Sequence, residues 1–202
     1  MSYAIFRCQS INTLADLSHI GSHNKREKES YKSNPDIRIE DSINNIELVK
    51  CNSKYREKFY EITKEYRKEH DEKMKTIRQD RYKTFDQMVD DSKSCVADEM
   101  IFTSGPDFFK DMSKEEILRW ANGCMEFVYK DLGYTKEQVI QSVLHLDERT
   151  PHIHCVVVPL VKKFDKRVNK ERYSISKRDY IKDQNYLSIL QDKYCFRLNN
   201  LW

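Results

Sequence analysis

Three of the six histidines, His145, His152 and His154, fall within ten residues of one another. Side chains on a strand alternate faces, so His152 and His154 point the same way, and His145, at the end of the preceding β-rich run, can meet them across a hairpin. Three neutral imidazoles that leave coordination positions open suit a catalytic divalent metal such as Zn, Mn, Fe, Ni or Cu. Asp147 and Glu148 stand in the turn between the ligand candidates. They are placed to act as a ligand, as a group fixing a histidine tautomer, or as the base that deprotonates a nucleophile. A His-x-His pair alone is often no more than two tolerated polar residues on a half-buried strand. The acidic turn, with the apolar flank Val156-Val157-Val158 that buries the strand, favours a site.

The elements that must position these groups follow from hydrophobic period and punctuation. Val139–Leu146 and His152–Leu160 read as two strands joined by the turn Asp147–Pro151, an antiparallel hairpin. Ser2–Gln9 alternates as an opening strand, Asn12–Gly21 is polar, and His23–Glu29 reads as a helix with one wet face, halted by Asn34-Pro35-Asp36. Ser42–Lys50 is a short strand or extended segment. Tyr55, Phe59, Ile62 and Tyr66, spaced 4, 3 and 4, predict one long amphipathic helix over Asn52–Thr76. Ile77–Ser94 reads as a loop and Cys95–Thr103 as a strand. Ser113–Leu132 is a helix with Ser113 as N-cap, Glu116 completing a capping box and Gly133 as its stop. Lys177–Leu198 closes the chain as a basic helix. The sum is an α+β fold, a central, mainly antiparallel β-sheet flanked by α-helices with the histidine hairpin at its middle. We expect a single domain over 1–202, with 161–202 as a basic C-terminal helical segment of that same domain.

Composition narrows the class. Leu, Ile, Val and Phe make up about 24% of the 202 residues, above the roughly 20% below which highly charged chains stay disordered. With only 4 Gly and 4 Pro, collagen-like chains and many-turned sandwiches or barrels are disfavoured. No apolar window reaches the roughly 18 residues of a membrane span, and the start MSYAIFRCQS lacks a signal-peptide layout, so a cytoplasmic protein is expected. Six scattered cysteines without a C-x-x-C pair read as free thiols. The net charge is only +3, yet Val161–Trp202 carries 11 Lys or Arg against 5 Asp or Glu, an end suited to face phosphates.

The stretch His145-Leu146-Asp147-Glu148-Arg149-Thr150-Pro151-His152-Ile153-His154, followed by Val156-Val157-Val158-Pro159, resembles the H-x-D-E-x-T-P-H-x-H-x-x-V-V-P signature of the MobV (Pre/Mob) plasmid relaxases, members of the HUH endonuclease superfamily. The start MSYAIFR with His23-Asn24-Lys25-Arg26 is similar to the family's first motif, H-N-x-R, and Asn45-Ile46-Glu47-Leu48 to its second, N-Y-E-L. Ile101–Ser104 and Asp107–Phe109 also resemble a family segment.

The resemblance implies a metal-dependent relaxase for plasmid mobilisation, which nicks one strand of transfer-origin DNA and leaves a free 3′-hydroxyl and a 5′-phosphate bonded to the enzyme. It implies that His145, His152 and His154 hold the metal; of Mn²⁺ and Mg²⁺, three imidazoles favour the softer Mn²⁺, with Mg²⁺ as the alternative. It makes His23 the nucleophile, Glu148 the group that orients or deprotonates it, and puts Arg26 near the scissile phosphate. The implied partners are single-stranded or supercoiled origin DNA and a coupling protein of a conjugative machinery. The domain itself is expected to be monomeric, without membrane contact. Arg7, Arg78 and the basic segment, with Lys162, Lys163 and Arg178, are the candidate DNA contacts. Departures are Ile46 in a position where the family has tyrosine, Lys25 in one often acidic, and a long charged stretch from Asn52 to Ser94. Family members continue past the point matching Trp202 into a helical, coiled-coil-rich region, so the chain reads as a catalytic domain.

Other classes fit parts of the pattern. A small-molecule metal hydrolase or oxygenase would use the same histidines without forming an adduct. A replication-initiation nuclease would attack with a tyrosine, Tyr31 or Tyr180. A catalytically silent DNA-binding module would be indifferent to metal.

Overall fold

The computed structural model describes residues 4–28, 30–32 and 34–201. Met1–Tyr3, which include the expected strand start, and Glu29, the expected helix end, lie outside them, as do Ser33 and Trp202. The chain runs through β1 (Ile5–Ile11), α1 (Leu14–Asn24), β2 (Ile46–Val49), α2 (Tyr55–Ile62), α3 (Lys64–Met74), α4 (Phe85–Asp90), β3 (Ala97–Thr103), α5 (Pro106–Phe109), α6 (Lys114–Glu126), β4 (Val139–His145), β5 (His152–Val157), β6 (Leu160–Asp165), β7 (Lys170–Ile175) and α7 (Gln184–Asn199). The main sheet has the order β1-β3-β5-β4-β2, and every neighbouring pair is antiparallel. The predicted hairpin is present as β4 and β5, and β5 is the central strand.

Alternation assigns each sheet face its own layer. On one face Phe6, Met100, Phe102, Cys155 and Leu144 pack with Trp120, Cys124 and Phe127 from α6 and the turn after it, and with Leu190, Tyr194 and Leu198 from α7. On the other, Ile11, Ala97, Ile140 and Val156 pack with Leu14 and Leu17 of α1, Tyr55 and Phe59 of α2, and Phe85 and Val89 of α4. Burial of these apolar side chains, worth roughly 1.5–3 kcal/mol each when complete, is what fixes the strand register. Facing partners share a face, so Ile5, Thr103, His152 and His145 form one row across the sheet and Arg7, Ile101, His154 and Val143 the next.

Several elements differ from expectation. The helix carrying His23 lies earlier than His23–Glu29: Leu14, Leu17 and Gly21 give α1 a buried stripe inside a stretch that reads as polar, and Thr13 caps it by accepting the Asp16 N–H at 3.0 Å. Beyond it Arg26 takes a left-handed conformation, φ 58°, which ends the helix. Gly21 is there for contact, since a Cβ at this position would stand 2.8 Å from Cγ of Tyr55. The expected long helix over Asn52–Thr76 is split at Thr63, whose buried hydroxyl donates back to the Phe59 carbonyl at 2.7 Å. The expected loop Ile77–Ser94 contains α4, started by a Thr84–Gln87 capping box and anchored by Phe85 and Val89. Segment 161–202 is not helical throughout. Its first part is the two-stranded ribbon β6–β7, whose alternation is masked by charged residues on both faces, and only α7 is helical at length.

Candidate active site

The row arrangement brings the three histidines together. His145 is fully buried and His154 nearly so. Their rings and that of His152 lie 5.0–5.2 Å apart, centroid to centroid. One nitrogen from each falls within 4.8 Å of the others.

Each ring is held by its other nitrogen. His145 Nε2 donates to the Asn24 carbonyl at 3.1 Å, His152 Nδ1 to the Thr150 carbonyl at 2.9 Å, and His154 Nδ1 to Glu99 Oε1 at 2.7 Å. Carbonyls and carboxylates only accept, so these bonds fix the tautomers and leave the lone pairs on His145 Nδ1, His152 Nε2 and His154 Nε2. His145 Nδ1 is buried and has no hydrogen-bond partner. An orphaned buried acceptor of this kind costs about 1–3 kcal/mol, and a cation among the three lone pairs removes that cost. Burial, then the proximity of His154 and the charge of Arg26, pushes the His145 pKa down, which keeps its imidazole neutral and able to ligate. The donor set fits a borderline divalent metal.

His23 stands in the last turn of α1. Its ring lies 5.7 Å from that of His154 and 6.2 Å from that of His145. Burial first, then His154, Arg26 and Lys28, lower its pKa to about 4. At neutral pH it is an uncharged imidazole. Arg26 Nη1 lies 3.4 Å from His23 Nε2, and because a guanidinium can only donate, the lone pair is on that nitrogen.

Arg26 is turned inward. Nε and Nη2 grip Asp147 through two 2.7 Å bonds, and Nη2 also donates to Glu148 Oε1 at 2.7 Å. The Arg26 side chain is only 6% exposed, so the fork expected beside a phosphate is already filled by carboxylates. Ser42 donates to Asp147 at 2.6 Å and Asn34 to Glu148 at 3.1 Å. Burial raises both acids, but for Asp147 the bonds from Arg26, Ser42 and Asn45 outweigh it, and for Glu148 the adjacent His152 ring and the bonds from Arg26 and Asn34 do so. Both stay well below the usual carboxylate range. Glu148 therefore makes a poor proton acceptor, and among the described residues no hydrogen bond joins it to His23. Its Oε1 instead lies 3.5 Å from His152 Nε2 and 3.9 Å from His145 Nδ1, at the edge of the ligand set.

The remaining candidates divide by position. Arg7 is exposed on the edge strand β1 and shares a sheet row with His154. Lys162 and Lys163 lie on the ribbon, paired with Glu171 at 2.8 Å and Asp179 at 2.5 Å. Arg178 is exposed in the turn Lys177–Asp179, and Arg78 pairs with Asp80 at 2.9 Å. The ribbon leaves β5 at the end away from the histidines, about 17 Å along the strand at roughly 3.3 Å per residue, so these lysines are not part of the cluster. Of the tyrosines, Tyr31 reaches the site, its ring 6.3 Å from that of His23, whereas Tyr180 stacks on Tyr134 at 3.9 Å and donates to the Leu160 carbonyl. Asn34, Ser42 and Glu99 are not among the sequence candidates, and Asn24, quoted there within the H-N-x-R match, carries no role in it. A signal existed for Glu99, an acidic residue inside the apolar run of Cys95–Thr103.

An antiparallel sheet covered by α-helices, with two histidines of its middle strand and one of the neighbouring strand converging on a candidate cation site, defines the class. The sequence matches the family described as "Plasmid recombination enzyme" (Mob_Pre) over residues 1–98 and 92–194. The chain belongs to this Mob/Pre family, and the MobV resemblance read from the motifs is borne out. It is 33% identical over 186 residues to plasmid recombination enzyme type 1 of Staphylococcus aureus, covering 92% of this chain and 41% of that protein. It is 30% identical over 190 residues to the plasmid recombination enzyme of Bacillus thuringiensis, covering 94% and 36%. The chain thus spans about two fifths of these relatives' length. The fold matches the Mn-bound MobM relaxase domain (MOBV; Mob_Pre) in complex with plasmid pMV158 oriT DNA, with a TM-score of 0.71 at 23% identity over 98% of this chain and 86% of that one. Among the described residues no helix is long and apolar enough to cross a membrane.

Proposed function

We propose that this domain nicks one strand of a plasmid transfer origin by transesterification, with His23 as the nucleophile and His145, His152 and His154 holding a divalent metal. The observation that carries the reading is the neutral His23 ring set against two of the three ligand-competent imidazoles. Mn²⁺ is the favoured ion and Mg²⁺ the alternative, because imidazole donors suit the softer cation and the MobM relative is Mn-bound. Bound there, the metal supplies Lewis-acid stabilisation of the charge developing on the phosphate oxygens.

The protein's own groups do the rest. The His23 Nε2 lone pair attacks phosphorus, the P–N bond forms and the P–O3′ bond breaks, and the Nδ1 proton of His23 passes to solvent while the departing 3′ oxygen takes one up. The products are a free 3′-hydroxyl and a 5′-phosphate carried on His23 as a phosphoramidate. Arg26 pins the Asp147–Glu148 turn beside the ligands, so the acidic residues serve as placed charges rather than as proton acceptors. The open row holding Arg7 gives the strand's phosphates a cation at the sheet edge. Arg78, Lys162, Lys163 and Arg178 would contact flanking DNA farther out. A coupling protein is the partner that would deliver the nicked strand to a conjugative machinery.

The test is a nicking assay on labelled single-stranded origin DNA with Mn²⁺, with EDTA and with His23→Ala. A metal-dependent covalent adduct that disappears in the variant supports the reading; an adduct that persists refutes it. A tyrosine nucleophile is the second reading, favoured by the position of Tyr31, and it predicts that Tyr31→Phe abolishes the adduct.

A further inference from the structure

We infer that Glu99 is a positioning residue that fixes His154 in its metal-binding tautomer, and that Asn24 ties this support to the helix end bearing His23. The inference rests on the metal-site reading above. Glu99 lies on β3 opposite Val156, is 7% exposed, and through Oε1 accepts both the 2.7 Å bond from His154 Nδ1 and a 3.3 Å bond from Asn24 Nδ2. A carboxylate in that place is costly to bury unless its bonds return something. What it returns is a fixed proton on Nδ1, which leaves the Nε2 lone pair for a cation, together with added basicity in the ring.

Asn24 joins two supports. Its carbonyl accepts the bond from His145 Nε2 at 3.1 Å, and its amide reaches Glu99 and the Tyr55 hydroxyl at 3.3 Å each. It directly follows His23, so one buried residue links the candidate nucleophile's helix end to two of the three imidazoles. From Tyr55 the network runs outward, with the hydroxyl donating to Gln141 Oε1 at 2.5 Å and the Gln141 amide to Glu47 Oε1 at 2.6 Å. That outer arm touches no histidine and supplies an internal control.

The experiment is a Mn²⁺ titration of the DNA-free protein, followed by electron paramagnetic resonance, for the parent, Glu99→Ala, Glu99→Gln, Asn24→Ala and Tyr55→Phe, with thermal melts of each. Removing such a support typically weakens metal binding about 10–100-fold, the loss expected for Glu99→Ala. Glu99→Gln, which keeps the volume and an acceptor oxygen but not the charge, is expected near the lower end. Asn24→Ala is expected to weaken binding, and to add nothing further when Glu99 is already alanine, because it acts through that residue. Tyr55→Phe lowers the melting temperature while leaving affinity within about threefold. If Glu99→Ala does not fold, Glu99→Gln carries the test. Parent-like affinity in the Glu99 variants overturns the inference while the metal site stands, and so does a Tyr55→Phe loss as large as theirs, which would mark general loosening. A parent protein that binds no Mn²⁺ overturns the metal-site reading and the inference with it.

Discussion

Asp147→Asn is expected to be among the costliest conservative substitutions in the chain. The two oxygens of Asp147 grip Arg26 at 2.7 Å each, and the two side chains are 0% and 6% exposed. Breaking a buried ion pair by neutralising one partner costs about 3–5 kcal/mol, because the other charge stays buried without compensation. Here Glu148 still holds Arg26 Nη2 at 2.7 Å, which places the loss near the lower figure. Arg26 also occupies a left-handed conformation, φ 58°, which only the surrounding bonds sustain. For a chain of this size each kcal/mol moves Tm by about 2–4 °C, so a drop of roughly 6–12 °C is expected at neutral pH. The assay is a thermal melt followed by circular dichroism, run with Arg26→Gln and the double variant. The two single losses should be strongly non-additive, since each removes the same pair. A melt within about 2 °C of the parent, or simple additivity, would refute the reasoning that this clamp organises the site.

Acidification should destabilise the metal-free protein in two stages. His23 and His145 have folded pKa values below the ordinary histidine value of 6.5, so the unfolded chain binds protons first and stability falls as pH drops from about 6.5 towards 4. Asp147 and Glu148 are also depressed, so their contribution, present above their ordinary values near 4, is lost at still lower pH. A pH series of melts tests this, and flat stability between pH 7 and 4.5 contradicts it. Mn²⁺ at one hundred times its Kd should stabilise the fold by about 2.7 kcal/mol, an effect that EDTA reverses and His145→Ala removes in a melt with and without metal. Gly21→Ala should cost about 1–3 kcal/mol in denaturant unfolding, because the added methyl meets the Tyr55 ring at 2.8 Å where α1 crosses α2.

The histidine hairpin was legible because period-two alternation and a β-rich flank place His152 and His154 on one face without any tertiary knowledge. The strands largely followed from the same alternation, and the helix at Ser113 from its capping box. What escaped depends on contacts between distant segments. Glu99 meets His154 only through cross-strand register, and Asn24 meets His145 only through the packing of α1 on the sheet. The sparse stripe Leu14, Leu17, Gly21 hides α1 inside polar sequence, so the expected helix was displaced towards the charged run that follows. The ribbon β6–β7 carries lysine and arginine on both faces, and such a strand pair has no apolar period to read. Arg26 was named from its motif as a group near the scissile phosphate, but its inward turn could be seen only once Asp147 stood opposite.

The most direct test of histidine chemistry is the identity of the residue bonded to DNA. The adduct formed with Mn²⁺ and origin DNA would be proteolysed and the nucleotide-bearing peptide sequenced by mass spectrometry, with its stability to mild acid recorded. An acid-labile phosphoramidate on the peptide containing His23 is the predicted result. An acid-stable ester on Tyr31, or on any other tyrosine, would contradict it.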